Sequence, residues 1–360
     1  MKRNRLWSLW KVILTDILVG ALALGITVFF ELGLPILQAR SGVAPEESKD
    51  SSSAAAPAPT PDSPQTAEPM SAPDAASEES PDEPAETPEP TPDLRTEWQI
   101  RFADQFSDEV IITDHSYRSP RVSITVETKQ FGEGSRASVY HVADIYVASL
   151  DEFRTYTANN ELRYFSTQDA MEMDADSHAI LAISGDFYSY QPKGFLMRNG
   201  ELYMSDQTYC DLCVLYNDGR IATYGRNDYK VQDILDEGIV QAWNFGPSLL
   251  DEDGHVLARY EVSQTVSYPN PRSALGYYEP GHYCFVVVDG RQDGYSYGMT
   301  IPELAQIFED LGCTVAYNLD GGGSALMTFL HERYSRQSNG AHRELGDILL
   351  ITEEGWEENR

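Results

Sequence analysis

Basic residues are scarce in this sequence: 26 Lys and Arg stand against 57 Asp and Glu, a formal net charge of −31 over 360 residues. A field of that sign repels nucleic acid and anionic lipid, which excludes both as general partners of the folded part unless a local basic pocket intervenes. Histidine is sparse too. The seven copies are scattered and form no HExxH pair, so metalloprotease chemistry has no support. Cysteine is limited to Cys210, Cys213, Cys284 and Cys313, which allow three pairings that sequence does not choose among. Cys210-Asp-Leu-Cys213 has metal-ligand spacing, but no second CxxC or His pair accompanies it, so thiols or a disulfide rank ahead of zinc.

An apolar run spans Val12 to Phe30 without a basic residue, after a flank carrying Lys2, Arg3, Arg5 and Lys11. That length suits a helix crossing about 30 Å of hydrocarbon. The basic flank assigns residues 1–11 to the cytoplasm, 12–30 to a transmembrane signal-anchor, and the rest to the extracytoplasmic side of a single-pass membrane protein. A cleaved signal peptide is the alternative, with Leu37-Gln38-Ala39 as a loose cleavage site, but the run exceeds the usual apolar segment of such peptides. Residues 31–95 then form a linker. Between Ser41 and Asp93 it holds 12 of the 20 prolines and almost no large apolar side chain, so burial cannot offset chain entropy and disorder is expected. Without these segments residues 94–360 still carry a net charge of −22.

Residues 96–356 read as one domain, with its chemically informative core at 175–352. Alternation in Val122–Val126 and the run His141–Val147 predict strands. Asn199-Gly200 and Asp218-Gly219 between apolar runs predict hairpins, and Asp253-Gly254 predicts another turn. His282–Val288 is a near-continuous apolar run, the pattern of a strand covered on both faces. Thr300-Ile-Pro-Glu303 has capping-box spacing before Leu304, Ile307, Phe308 and Leu311, with Gly312 as the stop, which predicts a helix. Thr314–Leu319 and Ala325–Leu330 follow as strands around the glycine turn 321–323. The fold class expected is α+β, a mixed β-sheet core with few helices, preceded by one transmembrane helix and a disordered stalk.

Polar residues collect where apolar strands stop. Asp289 and Arg291 leave one such run, Asn318 and Asp320 leave another, and Asp186 follows Ala179–Ile183 and Gly185. If the helix at 300–312 is a crossover, the first two strands run the same way and their ends share one sheet edge, the preferred place for ligands. Gly321, Gly322 and Gly323 let backbone N–H groups approach an anion; the plain reading is a tight turn. No GK[ST] follows, so this is not a P-loop, and Ser324 in Gly-Gly-Ser-Ala-Leu is not a nucleophile elbow. Arg272, in Asn270-Pro271-Arg272-Ser273, has a planar fork suited to phosphate or carboxylate.

Together, Asn270–Gly276, Val288-Asp289-Gly290-Arg291, Gly298-Met299-Thr300 with its helix, and Asn318-Leu319-Asp320-Gly321-Gly322-Gly323-Ser324 resemble the core of the phosphodiester glycosidase family, which includes bacterial proteins labelled as exopolysaccharide biosynthesis proteins. Ser184-Gly185-Asp186 departs from the asparagine-glycine form expected of relatives. The resemblance implies hydrolysis of a sugar-1-phosphodiester in a phosphorylated glycan or cell-surface polysaccharide. It implies Asp320 as leading carboxylate with Asp186 or Asp289 as second, and Arg272, Arg291, Asn318, Gly321–Gly323 and Ser324 around the phosphate. No cofactor is expected; a divalent cation is the alternative, and no ligand motif supports it. Two rivals stand beside it: a non-catalytic polysaccharide-binding module, and a divalent-cation phosphoesterase built on Asp186, Asp289 and Asp320, for which no ligand motif speaks.

Overall fold

Strands form where the apolar runs and alternations lie, in a computed structural model that describes residues 94–191, 193–207, 210–338 and 343–359. The cytoplasmic and transmembrane segments expected at 1–30, and the expected linker up to residue 93, lie outside the described residues. Among the described residues no helix is long and apolar enough to cross a membrane.

The chain opens with α1 (Glu97–Arg101), capped by a Thr96/Gln99 box, and continues through β1 (Ile111–Thr113), β2 (Ser116–Arg118), β3 (Val122–Phe131), β4 (Ser138–Val147) and β5 (Phe153–Thr157). Helix α2 (Ala170–Asp176) precedes β6 (Leu181–Ser184), and two hairpins follow: β7 (Phe195–Arg198) with β8 (Glu201–Ser205), and β9 (Leu212–Tyr216) with β10 (Ile221–Tyr224). Asn199 and Gly200 both have positive φ, 50° and 83°, as a two-residue hairpin turn requires. Next come α3 (Val231–Glu237), β11 (Ile239–Trp243), α4 (Gln264–Ser267), β12 (Arg272–Glu279) and β13 (His282–Val288). Last are α5 (Ile301–Leu311), β14 (Val315–Leu319), β15 (Met327–Phe329), β16 (Glu332–Arg333) and β17 (Asp347–Ile351). The expected capping box closes α5 at Thr300 and Glu303, and Gly312 ends it in the left-handed region at φ 79°.

Three sheets result. The largest has seven strands in the order β1-β2-β3-β4-β13-β12-β14; the others have five, β10-β9-β11-β7-β8 and β16-β15-β6-β17-β5. One face of the large sheet packs on both smaller sheets through Ile124, Ile145, Phe285, Trp243, Ile183 and Leu349, all fully buried. Its other face is covered by α5, where Val286 and Val288 meet Leu304 and Phe308. That two-sided cover explains the unbroken apolar run of β13.

The expected mixed sheet is not formed. Every ladder between the described strands is antiparallel. The reason is where α5 returns the chain. It carries β14 to the far side of β12, so β12 fills the slot between β13 and β14 and runs opposite to both. The strands β13 and β14 still share a direction, and their ends lie on one edge with the start of β12.

Close packing of α5 depends on Gly276, because a Cβ there would lie 2.6 Å from Cys284 Sγ and 2.7 Å from the Phe308 ring. Gly276→Ala should destabilise the domain by about 1–3 kcal/mol through overpacking. Equilibrium urea unfolding checks this, and a change near zero would mean that α5 can shift freely against the sheet.

Candidate functional site

The shared edge is closed by hydrogen bonds between two sheets. Register pairs Arg272 with Val288 and Ser273 with Leu319, so β12 begins where its neighbours end. The end of β6 is tied to the same place: Ser184 Oγ donates to Asp320 O at 2.9 Å and lies 2.6 Å from Ser273 Oγ. The Asp320 N–H donates to Gly185 O at 3.0 Å. Sequence-distant Asp186 and Asp320 are thereby brought close enough for each charge to act on the other.

Asp320 is the titratable centre of this edge. Burial pushes its carboxyl up to about 6; the Ser324 hydroxyl, the Arg343 guanidinium and the Gly321 amide pull it down, and the Asp186 charge pushes it up. Ser324 Oγ is buried and completes no hydrogen bond of normal length. The glycines after Asp320 pass between two arginines. The site a Cβ would take at Gly322 is 3.0 Å from Arg291 Nη2, and that at Gly323 is 3.7 Å from Arg343 Cδ. The Gly322 amide donates to Pro271 O, so positive charge at this turn comes from guanidinium groups more than from a run of backbone amides. Arg291 Nη2 also donates to Asn270 Oδ1 at 2.7 Å, which orients it. This pair of cations across a glycine turn, beside a carboxylate poised near neutrality, suits an anionic oxygen-rich ligand such as a phosphate.

Asp186 sits deeper. Its Oδ1 accepts from the Phe187 N–H at 2.7 Å, and its Oδ2 accepts from the Asn244 N–H at 2.8 Å and from Arg198 Nη2 at 3.3 Å. Arg198 Nε donates to Asp347 Oδ2 at 2.7 Å, and Asp347 Oδ1 accepts from the Asp186 N–H at 2.7 Å. These three side chains are essentially without exposure. Burial raises the Asp347 carboxyl above the usual carboxylate range, the Asp186 charge adds to that, and Arg198 opposes both.

The other expected residues are placed as follows. Asp289 is buried in a separate cluster: His141 Nε2 lies 3.1 Å from its Oδ2, Tyr295 Oη donates to the same oxygen at 2.8 Å, and the Arg336 N–H donates to Oδ1 at 2.8 Å. Arg272 gives its guanidinium to backbone carbonyls of Met299, Val266 and Tyr268 at 2.6–2.9 Å, which braces the loop beneath Arg291. Burial lowers its pKa to about 10, and the Arg291 charge adds to the effect. Asn318 Nδ2 donates to Gly246 O at 2.7 Å and pins the loop carrying the cis Gly246–Pro247 bond. Cys210, Cys213, Cys284 and Cys313 are all thiols. Among the described residues, no three His, Cys, Asp or Glu side chains converge as a metal site would need.

Sequence reading missed Arg198, Asp347 and Arg343. Arg198 precedes the Asn199-Gly200 turn, a position with no signal of its own; Asp347 opens the apolar run Ile348–Ile351, the same signal that marks Asp289 and Asp320 from the other side. Arg343 had none. Gly294-Tyr-Ser-Tyr-Gly298 also spells a nucleophile elbow. There, however, Ser296 is buried, donates to Asp289 O at 2.6 Å and accepts from the Val139 N–H, so it is a structural serine.

Residues 177–352 match the family model described as phosphodiester glycosidase. Among solved structures the chain is similar to the catalytic domain of zebrafish N-acetylglucosamine-1-phosphodiester alpha-N-acetylglucosaminidase, auto-inhibited by its pro-peptide, with TM-score 0.55, 20% identity, and coverage of 68% of this chain and 88% of that one. A hypothetical protein from Synechocystis is similar with TM-score 0.50 and 14% identity, over 68% of this chain and 64% of that one. At these identities the likeness concerns the fold. A curated Bacillus subtilis (strain 168) relative, the SPbeta prophage-derived uncharacterized protein YomE, is 26% identical over 198 residues, 52% of this chain and 31% of that protein. The chain thus spans about a third of that relative's length.

Replacing Arg198 by methionine would leave two buried carboxylates without their shared cation, at a cost of about 3–5 kcal/mol. Without the cation Asp347, which burial already raises, would favour the protonated form, so the loss should be smaller at pH 5 than at pH 8. Urea unfolding of Arg198→Met at the two pH values measures this; an equal loss at both would mean that the carboxylates do not depend on Arg198.

Proposed function

Given that residues 177–352 belong to the phosphodiester glycosidase family, we propose that this protein hydrolyses the bond between a sugar's anomeric carbon and a phosphodiester oxygen, on a glycan at the cell surface. The observation that carries the reading is the juxtaposition of Asp320, raised to about 6, with a glycine turn flanked by Arg291 and Arg343. The leaving group is a phosphate monoester, which departs readily, so cations around the phosphate and an ionised carboxylate at the sugar matter more than a strong acid.

In this reading Arg291 and Arg343 hold the phosphate and take up charge as the C–O bond breaks toward it. Ionised Asp320 either takes a proton from the attacking water or attacks the anomeric carbon itself. Water adds to that carbon, and a reducing sugar and a phosphate monoester leave. Asp186, fully hydrogen-bonded and buried, orients the turn that carries Asp320 and keeps negative charge beside it. Asp289 braces the edge from its own cluster, and Arg272 supports the loop under Arg291. The expected anchor at 12–30 would hold this domain outside the membrane on the linker.

N-acetylglucosamine is the first sugar to test, because the name of the zebrafish enzyme carries it. The full chain should release free reducing sugar from a benzyl N-acetylglucosamine-1-phosphodiester, and Asp320→Asn should lower kcat/KM by about 10²–10⁴-fold. Full activity in that variant would remove Asp320 from the reaction. Because the ionised form acts, kcat/KM should rise with pH through about 6 and level off above it. Arg343→Ala should reduce kcat by about 10²–10³-fold. Since the Arg343 charge lowers the Asp320 pKa, its removal should also move the acid limb to higher pH. A pH profile that keeps its midpoint would show that Arg343 does not act on Asp320.

A further inference from the structure

Rings extend outward from the residue that follows Asp186. Phe187 stacks on Tyr190 with centroids 4.8 Å apart, Tyr190 meets Phe165 edge-on at 6.1 Å, and Phe165 lies 4.0 Å from Tyr164. At the inner end the Arg343 guanidinium sits over the Phe187 ring at 5.6 Å, so this aromatic ribbon begins at the candidate phosphate site. At the outer end Tyr164 and Tyr190 are each 41% exposed and Phe165 is 65% exposed.

Folding does not account for those exposed rings. Phe165 has φ 61°, a left-handed conformation that costs a bulky residue conformational energy, yet its ring is not rewarded by burial. The strain is held in place by the surrounding chain. The Phe165 N–H donates to Ser189 O at 2.9 Å, Gln168 and Leu345 exchange backbone hydrogen bonds, and Thr167 Oγ1 donates to Glu344 Oε2 at 2.6 Å. The loop is thus stitched to both segments that carry the inner end of the ribbon. A rigid, strained display of aromatic faces and two phenol groups suits a ligand with alternating C–H faces and hydroxyl groups, which is the surface of a sugar ring.

We propose that Tyr164, Phe165 and Tyr190 form a stacking platform for sugar units beyond the one whose bond is cleaved, so that the substrate is an oligo- or polysaccharide-1-phosphodiester. The proposal rests on the glycosidase reading for its orientation, but the platform binds glycan whether or not hydrolysis follows. The rings are exposed, so Phe165→Ala with Tyr190→Ala leaves the core intact, and unchanged turnover of the benzyl monosaccharide diester reports that.

The test is native electrophoresis of the full chain through gels containing glycol chitin, dextran or yeast mannan, beside assay of the monosaccharide diester. At least one polysaccharide should retard the wild-type chain, with an apparent Kd at least fivefold weaker in the double variant. Retardation by none of the three, or equal retardation of the double variant, overturns the platform. Turnover of the monosaccharide diester without retardation leaves the glycosidase reading standing alone. Retardation lost in the double variant, with no reducing sugar released by the wild type, upholds the platform and overturns that reading.

Discussion

A buried guanidinium ties the two five-stranded sheets to each other. Arg198 closes β7 in one sheet, while Asp347 opens β17 and Asp186 follows β6 in the other. Its Nη1 also donates to the carbonyls of Met197 and Ala242, so that end of the fork is held by β-structure. Ions without water are tolerable only when each is matched, which makes the geometry of all three groups interdependent. The turn that presents Asp320 hangs from this assembly through Gly185 O, and the aromatic ribbon starts one residue beyond it.

Local features were legible in the sequence wherever the signal was local. The Asn199-Gly200 turn, the capped helix α5 and the doubly covered strand β13 follow from turn chemistry, capping and apolar runs. Strand order was not, because β12 carries no mark that it would separate β13 from β14. The edge was nevertheless anticipated, since a crossover helix aligns the strands it joins whether or not they touch. Within the site, residues at strand ends stood out and residues recruited from elsewhere did not. Asp320 was visible beside its glycines, whereas Arg343 lies in a stretch with no periodicity, and Arg198 was hidden in a hairpin. Asp289 stood at a strand end like Asp320, but its carboxylate satisfies His141 and Tyr295. A position at an edge identifies candidates, and hydrogen-bond partners separate them.

Charge makes the arrangement more specific than it first looks. A domain of net charge −22 repels a phosphodiester at long range, so electrostatic steering cannot supply the binding. Attraction must be local, and Arg291 and Arg343 are the cations that flank the glycine turn after Asp320. The Asp186 charge raises the cost of ionising Asp320, which burial already elevates. The Arg343 charge opposes both effects and so favours the ionised form that the proposed reaction uses.

The position of α1 has a mechanical consequence. Trp98 packs against Gly281 at the β12–β13 turn and against Gly219, at the ends of those strands remote from Arg272 and Asp289. At about 3.3 Å per residue, the length of β12 separates that turn from the reactive edge by roughly 23 Å. Helix α1 therefore lies on the side of the domain away from Asp320. A bead or label coupled to α1 would leave the edge that carries Asp320 facing the solution.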